Sequence, residues 1–260
     1  MTMNRPLVVA GNTLREALRE RLFYNLVVFA LLLILGSLTI SRLTLGEQYR
    51  IIANIGTSAT QVFGTLIAVF LGVGIVSREI DRRTCYPVLA RPVSRAGFLA
   101  GKYLGLLATL VLNVALMAAA TALMLLVYRG GSHSVGVAFI AAFGLMTLQL
   151  AIVAALAVLF STFSSPTLSS ICALAIVGAG WLFGEVRVFW LQAHDVGMKW
   201  MVQVLDFVLP NMGLLDLKEA VTYGDPVTLA SVAGRSLYGA CYAATLVALA
   251  ALTFSRRDIR

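Results

Sequence analysis

The sequence predicts an all-α integral membrane protein. Six transmembrane helices follow an N-terminal amphipathic interfacial helix, and a charged cytoplasmic helix lies between spans 2 and 3. Three observations carry this. The 260 residues are 60% hydrophobic and 12% charged, with a mean hydropathy of +0.90, whereas a soluble domain carries about a quarter of its residues as Asp, Glu, Lys and Arg. Stretches free of those four residue types run over 22–41, 51–77, 103–128, 130–184 and 236–255, and a span needs about 20 residues, so the longest stretch holds two. The basic residues are also unevenly distributed. An even number of spans puts both termini on one side, where segments 1–21, 77–102, 161–166 and 255–260 hold 13 of the 20 basic residues and 5 of the 12 acidic ones. Short cytoplasmic loops retain Lys and Arg, so that side is predicted to be the cytoplasm. The net charge of +8 then faces the anionic inner leaflet, and no nucleic-acid partner is needed to explain it.

Taken in order, residues 6–21, PLVVAGNTLREALRER, place Leu7, Leu14, Ala17 and Leu18 near one helical face, with Arg15, Glu16, Arg19 and Glu20 largely elsewhere. This is the pattern of a helix lying on membrane lipid and leading into the first span. The apolar run that follows is too long for the core of a signal peptide, and Glu16 and Glu20 precede it, so the segment is expected to be retained. Spans are expected near 22–40 and 56–76. After the second, Ser77 is placed to cap a cytoplasmic helix in which Glu79 and Arg83 are i, i+4 partners. Pro87 and Pro92 end it, and Lys102 marks the return to the membrane, its amine snorkelling to the interface. Spans 100–127 and 136–160 follow. STFSSP, residues 161–166, breaks the long apolar stretch, since Ser165 can cap and Pro166 can open a helix. Spans 167–184 and 236–254 complete the set. Between them the outer segment 185–235 carries Phe189, Trp190, Trp200, Phe207 and Tyr223, residues that favour the bilayer interface. It is expected to hold interfacial or re-entrant helices, broken near Pro210-Asn211 and Gly224-Asp225-Pro226. The whole chain, 1–260, reads as one transmembrane domain.

Few residues carry chemistry. The spans contain no acid or base apart from Lys102 and Glu185 at their edges, which argues against a proton-driven pump and places the energy source on another polypeptide. GFLAGKY, residues 97–103, has three residues between its glycines where a phosphate loop needs four, and Tyr103 where Ser or Thr would hold magnesium. Gly101 and Gly105, and likewise Gly180 and Gly184, read instead as small-xxx-small pairs that let helices approach closely. An intramembrane hydrolase would need a nucleophile beside a base, but His133 and His194 both lie in outer loops and no Gly-x-Ser-x-Gly elbow is present. His194, Asp195, Met198 and Met201 fall within eight residues and form a candidate copper site. The competing pattern is stronger, because Met201, Val204, Leu205 and Val208 follow helical spacing on an interfacial face. Cys172 and Cys241 lie in apolar segments and Cys85 in the charged window, so the cysteines give no disulfide framework.

The run REIDRRTCYPVLARPVSRAGFLAGKYLG, residues 78–105, resembles the signature of permease subunits of type-2 ATP-binding-cassette (ABC) exporters. There an acidic cytoplasmic helix, a Thr, a Leu, a Pro-Val-Ser-Arg and a Gly-Lys follow the second span. Those positions are Glu79, Thr84, Leu89, Pro92 to Arg95, and Gly101-Lys102, with Arg83 where the pattern commonly has Gly. LPNMGLLDL, residues 209–217, and the closing FSRRDIR, residues 254–260, also resemble the subgroup that includes the permease of the nitrous-oxide-reductase copper-maturation system. The resemblance implies two copies of the permease and two copies of a cytoplasmic ABC ATPase subunit. ATP and magnesium would bind that partner, this chain holding no cofactor of its own, and an extracellular accessory protein is a possible further partner. It also makes the charged helix the coupling element, with Glu79, Ile80, Arg82, Arg83, Thr84, Leu89, Arg91 and Arg95 as the docking residues. A non-ABC secondary transporter or channel subunit is the alternative.

Overall fold

The computed structural model describes residues 4–42, 48–81, 95–127, 136–191, 205, 209–223 and 227–256. Among the described residues the ordered elements are helices. The long ones are α1 (Asn4–Ala17), α2 (Arg21–Arg42), α3 (Gln48–Asp81), α4 (Arg95–Val127), α5 (Val137–Ser161) and α6 (Pro166–Leu191). A 3₁₀ turn, η1 (Gly213–Leu215), and the short α7 (Lys218–Tyr223) precede the last helix, α8 (Leu229–Arg256). Helices α2, α3, α4, α5, α6 and α8 are long and apolar enough to cross a membrane, because their hydrogen-bonded backbones leave no polar group facing hydrocarbon.

Several boundaries depart from the sequence reading. The lead-in is not one helix over 6–21. Helix α1 stops at Ala17 in a tight turn, where Arg19 N donates to Glu16 O (3.0 Å) and Glu20 N to Ala17 O (3.2 Å), and α2 starts afresh at Arg21. Ser77 is not the cap of a separate helix. Helix α3 runs straight through it to Asp81, since IVSREID contains neither Gly nor Pro to break the hydrogen-bond ladder. The same helix begins at Gln48, eight residues before the expected span, and α8 begins at Leu229, ahead of Arg235. Pro166 does open α6, with Ser165 just before it, and Ser169 N donates to Ser165 O (2.9 Å).

The six long spans are not equivalent. Of the α5 span 72% is buried inside the protein, and of the α3 span 61%, against 22% for α6 and 28% each for α2 and α8. Helix α5 is therefore the axle of the bundle, touching α3, α4, α6 and α8. Its residues Ala151–Val158 are all buried, as expected of a helix that is apolar all round. Apolar attraction alone does not join helices in lipid, whose tails are equally apolar, so close backbone approach and dense contact must do so. Gly72 shows this where α3 crosses α5: a Cβ there would lie 2.8 Å from the Ala157 Cβ and 3.3 Å from the Ala154 carbonyl oxygen. The outward faces of the other spans stay apolar, with Leu32, Leu116, Ile171 and Leu252 more than two-fifths exposed, which suits a lipid solvent.

Candidate functional site

Most buried hydroxyls in the bundle have been taken up by their own helices. Thr57 donates to Ala53 O (2.8 Å), Thr60 to Gly56 O (2.8 Å), Thr109 to Gly105 O (3.0 Å) and Thr121 to Met117 O (2.9 Å). The side chains that bridge helices are thus few. Gln149, halfway along α5 and 3% exposed, accepts from Gln61 Nε2 on α3 (3.4 Å) and donates through its own Nε2 to Met212 O (3.4 Å). Tyr103 on α4 donates to Ala151 O of α5 (2.9 Å). Asn113, 1% exposed near the middle of α4, has neither amide atom paired.

The Met212 carbonyl sits at that depth because residues 209–215 turn inward between α5, α6 and α8. Met212 is fully buried, and Leu215 nearly so. Gly180 on α6 makes room: a Cβ there would lie 2.6 Å from Pro210 O. The Tyr238 hydroxyl oxygen on α8 accepts from the Asn211 N–H (3.0 Å), and Asn211 Oδ1 accepts from Leu214 N (3.1 Å) to close the turn. The chain then climbs to α7. Tyr49 at the start of α3 donates to Val221 O (3.3 Å), and Arg50 lies over the Tyr223 ring, 5.0 Å from its centroid. Lys218 donates through Nζ to Ser58 Oγ, and Arg235 of α8 through Nη1 to Asp216 O (3.3 Å). Between these elements lies a cavity of about 620 Å³, whose lining includes Asn54, Trp181, Asp216, Lys218, Glu219 and Arg235.

At the opposite end, α1 lies on α4. A Cβ on Gly105 would come within 2.5 Å of Ala10 O and 2.6 Å of the Thr13 Cβ. The face that α1 buries is Thr13 and Ala17, with Leu14 only half-buried. The sequence pattern had singled out Leu7, Leu14, Ala17 and Leu18; α1 is therefore seated on a helix by its small residues. Of the two proposed small-residue pairs, Gly105 and Gly180 are contact points, whereas Gly184 has nothing within 4 Å of its Cβ position. Lys102 is buried, its amine over the Phe98 ring one turn nearer the start of α4 (5.4 Å to the centroid). The Thr162 and Thr253 hydroxyls meet at 3.1 Å, tying the α5 C-terminus to α8.

Of the expected docking residues, Glu79 and Ile80 lie on the last turn of α3 and Arg95 on the first of α4. Arg82, Arg83, Thr84, Leu89 and Arg91 lie outside the described residues, as do His194, Met198 and Met201. Among the described residues no group of three His, Cys, Asp or Glu side chains could hold a metal ion. Reading the sequence for acids and bases passed over Gln61, Asn113 and Gln149. Their signal was present: an uncharged amide within an apolar span is itself costly unless it meets a partner.

A family model described as ABC-2 family transporter protein matches residues 7–259, nearly the whole chain. The chain belongs to the ABC-2 transporter family. It is thus a multi-pass membrane protein and a permease component of an ABC transporter, a transport subunit and not a catalytic one. A search of curated proteins gives no match.

Proposed function

We propose that this ABC-2 permease forms the translocation pathway of an ATP-driven exporter. Two copies of the chain act with two cytoplasmic ATPase subunits, which hold the ATP and magnesium. The observation that carries this reading is the family match over 7–259 combined with the charged signature at 78–105. In this reading both termini and the segment after α3 face the cytoplasm, where the 13 basic residues lie. Glu79, Ile80, Arg82, Arg83, Thr84, Leu89, Arg91 and Arg95 dock the ATPase. Because α3 runs unbroken from the Gln61 level to Asp81, a push at Glu79 is delivered along one rigid rod to the centre of the bundle. Residues 209–217 resemble the nitrous-oxide-reductase maturation subgroup, and an extracellular accessory protein fits that subgroup.

Two measurements test it. The mass of the detergent-extracted complex should correspond to two permeases with two ATPases, and the permease alone should not hydrolyse ATP; a stable single-copy complex would contradict the pairing. In a variant with Cys172 and Cys241 replaced by alanine, Cys85 should resist a membrane-impermeant thiol reagent in intact cells and react after permeabilisation. Labelling in intact cells would overturn the orientation.

A further inference from the structure

The cavity at the 209–223 end is lined by charged side chains that form no ion pair with one another among the described residues. Lys218 and Arg235 line it and are both half-buried. Among the described residues, the Lys218 amine meets only the Ser58 hydroxyl, and the Arg235 guanidinium only the Asp216 carbonyl oxygen, at 3.3 Å. Each leaves several donors unused, and a half-buried cation that forms no ion pair is poorly solvated. Two acids line the same space. Asp216 uses Oδ1 to accept from Lys218 N (2.8 Å), and Glu219 is exposed at the rim. The cavity thus offers two positive and two negative groups, in a volume of about 620 Å³ that is typical of ligand sites.

Its level in the bundle is equally specific. Asn54 lies in the second turn of α3, Arg235 in the second turn of α8, and Trp181 one turn from the end of the apolar stretch Pro166–Gly184. That is the depth at which hydrocarbon gives way to headgroups and where Trp is favoured. Leu182 on α6 and Leu229 and Leu237 on α8, within two turns of these residues, are more than three-fifths exposed. A polar cavity at this depth, in a bundle whose neighbouring helix surfaces are apolar, matches the headgroup of an amphipathic ligand.

We propose that this cavity binds the headgroup of a zwitterionic phospholipid. Lys218 and Arg235 hold the phosphate, Glu219 and Asp216 face the amine, and the acyl chains extend from the cavity over the apolar outer surface of the bundle. Arg and Lys are suited to phosphate through charge-assisted hydrogen bonds. The site is independent of the export reading, since it requires neither the ATPase nor a direction of transport.

Native mass spectrometry of the purified protein tests this, using phosphatidylethanolamine, phosphatidylglycerol and soluble glycerophosphoethanolamine as probes. Phosphatidylethanolamine should remain bound, and Arg235→Gln should weaken its retention about tenfold, the loss of one charge-assisted contact. Arg235→Lys and Lys218→Arg should stay near wild type. Lys218→Gln also removes the Ser58 contact, so its thermal unfolding is measured beside that of Lys218→Arg. Glu219→Gln should narrow the preference for phosphatidylethanolamine over phosphatidylglycerol. Equal retention of phosphatidylethanolamine by wild type and a folded Arg235→Gln would overturn the site. If the soluble compound displaced the lipid at equal concentration, the occupant would be a free phosphate–amine compound and the lipid assignment would fall.

Discussion

The two ends of the bundle are held by different means. At the end bearing the termini, α1 is seated on α4 by the absence of a side chain at Gly105, and α5 meets α8 through two threonines that already bond their own helices. At the other end the chain between α6 and α8 folds back and is braced to four spans. Gln149 reaches Met212 O, Tyr238 the Asn211 N–H, Tyr49 Val221 O and Lys218 Ser58, while Gly180 admits Pro210. The first end relies on close backbone approach with polar links at Thr162–Thr253 and, deeper, Tyr103–Ala151, and the other on a larger set of polar cross-links plus one such approach. In lipid the distinction is energetic. Hydrogen bonds between membrane helices average about 0.6 kcal/mol, whereas forcing extra atoms into a packed contact costs about 1–3 kcal/mol.

The comparison can be broken most forcefully at Gly105. Gly105→Leu drives a side chain against the Ala10 carbonyl oxygen, a backbone atom that cannot rotate aside, so destabilisation of about 3 kcal/mol is expected. Thermal unfolding should show it, and protease should cut within residues 1–20 more readily; an unchanged melting temperature would mean that α1 is not seated there. Gly180→Leu meets Pro210 O in the same way, but a connecting segment can shift further than a helix, so about 1–2 kcal/mol is expected. Cleavage after residue 191 should rise while cleavage before residue 20 does not. A smaller change is expected for Gln149→Leu, which removes both of its cross-links. The loss should be about 1 kcal/mol, read as a modest fall in melting temperature, and a rise would show that the amide is retained at a cost to stability. Thr162→Val is the smallest case, within about 0.5 kcal/mol of wild type, because Thr253 keeps its bonds to Leu249 O (3.1 Å) and Ala250 O (2.9 Å). A larger loss there would make the terminal end as dependent on polar cross-links as its opposite.

The same division explains what the sequence disclosed. Six spans are legible in five apolar stretches because each span must satisfy its backbone internally over about 20 residues, and Pro166 marks the boundary within the longest by a local rule. The start of α3 was missed because Gln48, Tyr49 and Arg50 look like loop residues. Their polarity is used against Val221 and Tyr223, partners about 170 residues away. A segment dipping inward near Pro210-Asn211 was expected, but its contact with α5 was invisible to periodicity, since Gln149 and Met212 are 63 residues apart and no local pattern encodes their meeting. Ser77 misled for the opposite reason: a good capping residue stays inside a helix when nothing nearby breaks it. At the end proposed to dock the ATPase the order reverses, for there a motif is legible at residues 78–105, and its flanks, through Asp81 and from Arg95, are helical.

That end carries the central claim, and Glu79→Lys tests it most directly. Glu79 lies on the last turn of α3. Replacing it adds positive charge on the side expected to be cytoplasmic, so membrane insertion should be undisturbed. At a docking surface the same change sets repulsion against a partner group, where a stranded interface charge costs about 2–5 kcal/mol. The measurement is co-purification of the ATPase with the permease, at matched membrane levels, together with complementation of the deleted gene. The account predicts wild-type levels of the permease with the ATPase largely lost and transport impaired. Full ATPase association with full complementation would contradict it and leave the charged segment a solvated cytoplasmic loop.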